Sequence, residues 1–326
     1  MTYNKRDRFR GAMMGLLCGD ALGAPYETWH AVDIKVDLKH RGGLVPHDYI
    51  EPFKKKRQMF AGQPTDDSEL TAALGQSLFA RGKFDEYDVF ARLRRFIIDR
   101  ESILTADRAY GSGGTLRAAL KPNSYEESLA AFTRDEVPII PTNGSLMRCL
   151  PISLLYQTRM GEIEQIAMRQ SAITHVHPLC MAACATYNIL VAFVLEDMNV
   201  AHAWGWVHPW TGNPLRMSPT PAIAEILRID TSRPGEDEIW PLTGSVTLSL
   251  RAALWASLNA TDFRDGLTKV ISLGGDTDTY GAIAGGILGA RFGLRGIPQE
   301  WQDVMIGKGI MIDLADQLYE LSCARH

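Results

Sequence analysis

Two glycine-rich stretches constrain this chain more than any other feature, because each leaves one face of a helix almost without side chains. From Arg8 to Ala24 the apolar residues Phe9, Met13, Leu16, Leu17 and Ala21 recur at helical spacing. Gly11, Gly15, Gly19 and Gly23 fall every four residues on a common face of that helix, which lets another helix come close. Far along the chain, the run Gly-Ala-Ile-Ala-Gly-Gly-Ile-Leu-Gly-Ala that follows Tyr280 reads as a second helix with so little bulk that neighbours can press against it.

That second helix begins with an unusual amount of oxygen. Behind the turn-forming pair Gly274 and Gly275, residues Asp276, Thr277, Asp278 and Thr279 place two carboxylates and two hydroxyls in four consecutive positions. Such residues cap helices and complement the helix dipole. Capping needs one of them, so a cation site is the competing reading. A similar group, Thr65-Asp66-Asp67-Ser68-Glu69, opens a helix expected to reach about Arg81. If the two helix starts meet, Thr65, Asp66, Asp67, Asp276, Asp278 and Thr279 form the all-oxygen donor set that magnesium and manganese take, with positions left for water or substrate. If they do not, they are two independent acidic N-termini.

Helical periodicity recurs over 85–99, 125–133, 161–174, 178–196, 245–259, 262–272 and 298–324, while strand alternation is nearly absent and no repeat is visible. The expected fold class is all-α, with one multi-helix domain over residues 1–326. Two irregular excursions interrupt it. Residues 29–61 contain short β-favouring pieces such as Ile34 to Leu38, and residues 197–243 carry Trp204, Trp206, Trp210 and Trp240 among six prolines. The clustered Trp204, Trp206 and Trp210 read as a satellite packing cluster rather than a ligand platform.

The chain is 46% hydrophobic and 22% charged, with a net charge of −4, and gives no support for sequence-specific nucleic-acid binding, which would need a concentrated basic stripe. The one basic run, Lys54 to Arg57, reads as a solvated loop. The polar start is unlike a secretory leader, and the apolar stretch from Cys180 to Leu195 is short for a membrane span and contains Asn188. Five cysteines without a CxxC pair suggest a reduced, cytoplasmic protein. His175, His177, Cys180 and Cys184 match no common zinc spacing, and the two cysteines fall on an apolar helix face.

Two loops offer backbone amides ahead of polar or helical segments. Tyr110-Gly111-Ser112-Gly113-Gly114-Thr115 is a glycine-rich loop with the character of a phosphate cradle but no Gly-Lys-Ser/Thr sequence, and Asn143-Gly144-Ser145 repeats the idea before an expected helix. Glu27 follows the first glycine-spaced helix, and His175 stands at the junction before the Pro178 helix.

Taken in order, Gly15 to Glu27, Thr65-Asp-Asp-Ser, Tyr110-Gly-Ser-Gly, Asn143-Gly-Ser-Leu-Met-Arg, Thr174-His175 and Gly274-Gly-Asp-Thr-Asp-Thr resemble the ADP-ribosylglycohydrolase family nearly end to end. The resemblance implies a compact orthogonal multi-helix bundle with two Mg2+ or Mn2+ ions in a cleft. Thr65, Asp66, Asp67, Asp276, Asp278 and Thr279 would be their ligands. Tyr110 to Thr115, Asn143 to Ser145 and His175 would hold ADP-ribose. Asp66, Asp67 and Asp276 would support catalysis at the metals, and Glu27 would take part in acid/base chemistry. The implied reaction is attack of a metal-activated water at C1″, releasing ADP-ribose from a modified arginine or serine side chain or a related substrate. An aspartate found in some members as Asp-x-Gly is replaced here by Ala109-Tyr110-Gly111, so its role does not carry over. A second implied possibility is a protein that masks an ADP-ribosylating toxin, docking through one of the two excursions.

Overall fold

The two glycine faces pack on each other. In the computed structural model, which describes residues 4–50, 57–105, 110–207, 220–234 and 244–324, helix α1 (Lys5–Gly23) and helix α14 (Thr277–Gly296) lie antiparallel. Gly11 faces Gly289, Gly15 faces Gly285, Gly19 faces Gly281 and Gly23 faces Thr277. A Cβ at any of these four glycines of α1 would stand closer than 3.0 Å to a carbonyl oxygen of α14. The absent side chains let the two backbones touch, which sequence periodicity could suggest for each helix but not for the pair.

This pairing fixes the ends as well as the middles. The Thr277 hydroxyl donates to the Gly23 carbonyl at 2.8 Å, so the C-terminus of α1 is tied to the N-terminus of α14. The chain then turns through Ala24–Tyr26, with Pro25 setting the first turn. Thr28 N–H donates to the Gly275 carbonyl at 2.9 Å and Gly275 N–H to the Trp29 carbonyl at 3.1 Å. Gly274, at φ +75°, has the Trp29 carbonyl where a Cβ would be, so a larger residue there would break this clasp.

Around the pair, the chain adds α2 (Ala31–Arg41), α3 (Asp66–Arg81), α4 (Glu86–Arg94), α5 (Gly114–Leu120), α6 (Tyr125–Thr133), α7 (Leu150–Tyr156), α8 (Met160–Ala172) and α9 (Pro178–Leu195). Then follow α10 (Val200–Val207), α11 (Pro221–Leu227), α12 (Val246–Leu258), α13 (Phe263–Ile271), α15 (Gln299–Val304) and α16 (Lys308–Cys323). Among the described residues the only sheet is β1 (Tyr49–Ile50) against β2 (Gln58–Met59), antiparallel. The expected all-α class is what the structure has. One main hydrophobic core runs through it, with Trp301, Tyr187, Phe9, Phe96 and Phe263 among its largest buried side chains.

Several local expectations change. Ile34 to Leu38 is not extended: α2 buries Ile34 and Leu38, four apart on one face, and ends at Gly42 with φ +76°. The 298–324 segment is two helices, parted where Gly307 takes φ +88°. The 85–99 segment finishes in a π-helical turn, Arg95–Asp99, followed by Arg100 at φ +63°. Asn143 to Arg148 forms turns, and helix resumes only at α7. Helix α9 reaches 18 residues and is apolar enough to cross a membrane by length and composition, yet 83% of it is buried inside the fold. Its Asn188 is spent internally, accepting from Ser153 N–H at 2.9 Å and donating to the Cys184 carbonyl at 2.8 Å. Trp204 packs against the core and Trp206 is exposed, whereas Trp210, Trp240 and Lys54 to Lys56 lie outside the described residues. The cysteines are all free thiols, four of them buried.

Candidate active site

The two oxygen-rich helix starts meet. One cleft of about 750 Å³ is lined by Glu27, Thr65, Asp66, Asp67, Asp276, Asp278 and Thr279, and also by Tyr110 to Thr115, Asn143, Gly144 and His175. These sixteen residues come from six separate segments and share one cleft, with the N-termini of α3 and α14 both opening onto it. Glu27, delivered by the Gly275 clasp, has a carboxylate oxygen within 4.8 Å of one from Asp276 and one from Asp278.

The cluster at α3 is organised from outside the helix. Thr65 is its N-cap residue but makes no side-chain cap bond of its own. The capping carboxylate comes from Asp20 on α1, which is fully buried. Asp20 accepts from Thr65 N–H at 3.0 Å, Thr65 Oγ1 at 2.7 Å, Ser68 N–H at 3.0 Å and Ser68 Oγ at 2.5 Å. Two hydroxyls and two amides are thereby satisfied by one carboxylate. Because Thr65 spends its proton on Asp20, its oxygen lone pairs remain to accept a cation. Sequence reading missed Asp20; the one charged residue in the otherwise small and apolar stretch from Gly11 to Gly23 was the available signal.

The cluster at α14 is held from the other side. Asn143 donates from Nδ2 to Asp276 Oδ2 at 2.6 Å and to Ser249 Oγ at 2.9 Å, so both its amide protons are used. Its own N–H is bound by the Gly244 carbonyl at 2.9 Å. Gly244, also on the cleft wall, takes φ +55°. On the opposite wall Gly111, at φ +84°, lies directly on Asp66, whose Oδ1 occupies the place a Cβ would need. Gly113 and Gly114 differ: nothing stands within 4 Å of a Cβ built on either, and neither has positive φ.

Bringing these acids together is electrostatically unfavourable. Burial and then the Asp20 and Asp276 charges push the Asp66 carboxyl up to about 7. Burial and the surrounding carboxylates, Asp20 first, push Asp67 well up, and burial with Glu27 and Asp67 does the same to Asp278. Arg100, which lines the same cleft, offsets part of this at Asp66. Asp67 Oδ1 is buried with no hydrogen-bond partner. An orphaned buried carboxylate oxygen, within a donor set made only of hard oxygens, is what a divalent cation site presents when described without its ions. The residues therefore fit a hard divalent cation.

His175 is buried and its ring is kept neutral, its pKa pushed down to about 3 by burial and by Arg148. Gly144 lies against that ring, with Cε1 at 2.9 Å from where its Cβ would be. His177 caps α9, its Nδ1 accepting from Leu179 N–H at 3.2 Å. Ser145 is not among the residues that line the cleft: it is fully buried, with its hydroxyl 2.8 Å from Ser171 Oγ. Ala109, which the resemblance sets against an aspartate, lies outside the described residues. Sequence reading also missed Arg100 and Arg117 on the cleft wall, and Arg57, expected in a solvated loop, lines the cleft with them.

Comparison with known proteins covers the whole chain. The family model described as ADP-ribosylglycohydrolase matches residues 1–326. The chain is 25% identical to ADP-ribosylarginine hydrolase Tri1 of Serratia proteamaculans, over 97% of this chain and 80% of that one. It is 27% identical to ADP-ribosyl-[dinitrogen reductase] glycohydrolase of Rhodospirillum rubrum, over 90% and 89%. A solved structure titled ADP-ribosylglycohydrolase-related protein complex superposes with a TM-score of 0.70 at 27% identity, covering 98% of this chain and 99% of that one.

Proposed function

The chain belongs to the ADP-ribosylglycohydrolase family and is a hydrolase; from that premise we propose that it is a divalent-metal-dependent enzyme that cleaves the C1″ linkage between ADP-ribose and a modified arginine or serine side chain. One observation carries the reading: Glu27, Asp66, Asp67, Asp276 and Asp278 converge in one cleft with a buried oxygen left unpartnered. Nothing about folding requires five carboxylates at one place, and cations are the charge that makes such a group stable. Mg2+ or Mn2+ bound there supplies Lewis acidity and lowers the pKa of an attacking water.

The chain's own residues have distinct parts in this reading. Thr65, Asp66, Asp67, Asp276, Asp278 and Thr279 hold the cations. Asn143 fixes the Asp276 carboxylate, and Asp20 fixes the turn that carries Asp66 and Asp67. Gly113 and Gly114 leave open space where a ligand backbone or phosphate comes close, which packing alone does not explain. Glu27, beside Asp276 and Asp278 but attached to a different segment, moves the proton: hydroxide adds to C1″ while a proton passes to the departing side-chain atom.

The test is release of free ADP-ribose from arginine-linked and serine-linked substrates, with Mg2+, with Mn2+ and with EDTA. Release that stops with EDTA and returns with added cation is expected. Full release in EDTA would remove the metal from the reading, and no release from either linkage would remove the substrate class.

A further inference from the structure

What lies behind His175 determines which of its nitrogens carries the ring proton. Arg148 is fully buried and, among the described residues, is held only by neutral groups. Its Nε donates to Gln170 Oε1, its Nη1 to the Gly144 carbonyl and its Nη2 to Thr174 Oγ1, each at 2.8 Å. Thr174 Oγ1 is in turn 2.8 Å from His175 Nδ1. A threonine hydroxyl has one proton and two lone pairs, and Arg148 takes one lone pair.

Two assignments remain, and they are not equal. If Nδ1 carried the ring proton, it would donate to the second lone pair, and the Thr174 proton would have no acceptor among the described residues in a fully buried side chain. Leaving such a donor unmade costs about 1–3 kcal/mol. If Nδ1 is bare, Thr174 donates to it and every group is satisfied. The ring proton then sits on Nε2, the nitrogen against Gly144 on the cleft wall.

We propose that Arg148 is a positioning residue: acting through the Thr174 hydroxyl, it fixes His175 as the neutral Nε2–H tautomer, a hydrogen-bond donor to an acceptor oxygen of the ligand. Through Nη1 the same guanidinium holds Gly144 against the ring. The arrangement excludes His175 from proton abstraction and makes it read phosphate or ribose oxygens, since it offers no acceptor to the cleft. A buried cation one hydroxyl away also opposes a second positive charge on the ring, with the thiols of Cys149 and Cys184 the other groups in the field of Arg148. Only the identity of the ligand as ADP-ribose rests on the function proposed above.

The experiment is long-range 1H–15N correlation of the histidine side chains in the full-length protein at about pH 7, with His175→Gln used to assign the signal. His175 is expected to show the neutral Nε2–H pattern before any ligand is added, and an Nδ1–H or cationic pattern overturns the inference. Thr174→Val is expected to lose the single tautomer and bind ADP-ribose roughly tenfold more weakly. Thr174→Ser, which keeps the hydroxyl, is expected to restore both. A Thr174→Val protein that retains the Nε2–H form would also overturn the relay. If the wild-type tautomer is as expected but ADP-ribose leaves the His175 signal unmoved, the substrate reading fails while the relay stands.

Discussion

At Asp20, four donors converge on the two oxygens of one carboxylate, and each oxygen has the lone pairs to accept them. An amide cannot do this, because half of its end is itself a donor. Asp20→Asn is therefore expected to lower the melting temperature by several degrees, for a loss of about 1–3 kcal/mol. It should also weaken Mn2+ binding, measured by calorimetry, because Thr65, Asp66 and Asp67 hang on that turn; unchanged Mn2+ affinity would confine Asp20 to folding. The glycine loop gives a second contrast. Gly113→Ala meets nothing, so melting should hold while ADP-ribose binding weakens, whereas Gly111→Ala collides with Asp66 Oδ1 at φ +84° and should lose stability as well. Equal effects of the two substitutions on melting would contradict this division. The acidic ligands were legible in the sequence because their chemistry is concentrated in adjacent positions. Asp20 and Arg148 were not, since each is one charge within an apolar segment and acquires meaning only from partners 45 and 26 residues away.

The same distinction holds for elements. The helices with repeating apolar faces were readable, and α3, α6 and α9 lie close to their expected bounds. Helix α2 was not recognised, because only Ile34 and Leu38 face inward while Val32 and Val36 are exposed, which blurs the periodicity into something strand-like. The contact between α1 and α14 was beyond reach for another reason: small residues state that something comes close, not what. Once seen, the pairing makes a prediction about elements rather than residues. Gly19→Ala sets a Cβ against the Gly281 carbonyl in the middle of the helix pair, where neither backbone can yield. Overpacking of this kind costs about 1–3 kcal/mol or more. Because α1 carries Asp20 and α14 carries Asp276 and Asp278, loosening the pair should reduce cation affinity together with stability. Gly205→Ala in α10, with nothing within 4 Å, is the control, expected to leave melting unchanged or to raise it slightly, for a gain in stability of up to about 1 kcal/mol. Thermal melting of both variants decides, and a Gly19→Ala protein as stable as the parent would mean that the helices can part without consequence.

For the whole molecule, the carboxylate cluster ties folding, pH and cations into one equilibrium. Without cations, Asp66 is held at about 7 and Asp67 and Asp278 are displaced in the same direction, all above the ordinary aspartate value of about 3.9 that the unfolded chain has. A raised folded-state pKa means that the folded protein binds protons more tightly than the unfolded one. The stability this confers is complete below the unfolded value and is lost as pH rises through the folded value. The chelated protein should therefore melt at progressively lower temperature from about pH 4 to about pH 7. Cations change the sign of the argument, since they bind the deprotonated carboxylates and compete with protons, so their affinity grows over the same range. At a cation concentration about a hundredfold above Kd the folded state gains about 2.7 kcal/mol. The melting curves with Mg2+ and with EDTA should thus diverge as pH rises, with the widest gap near neutrality. Melting measured across that pH range in both conditions is the check, and curves that run parallel or converge toward pH 7 would mean that the five acids meet for some purpose other than holding metal.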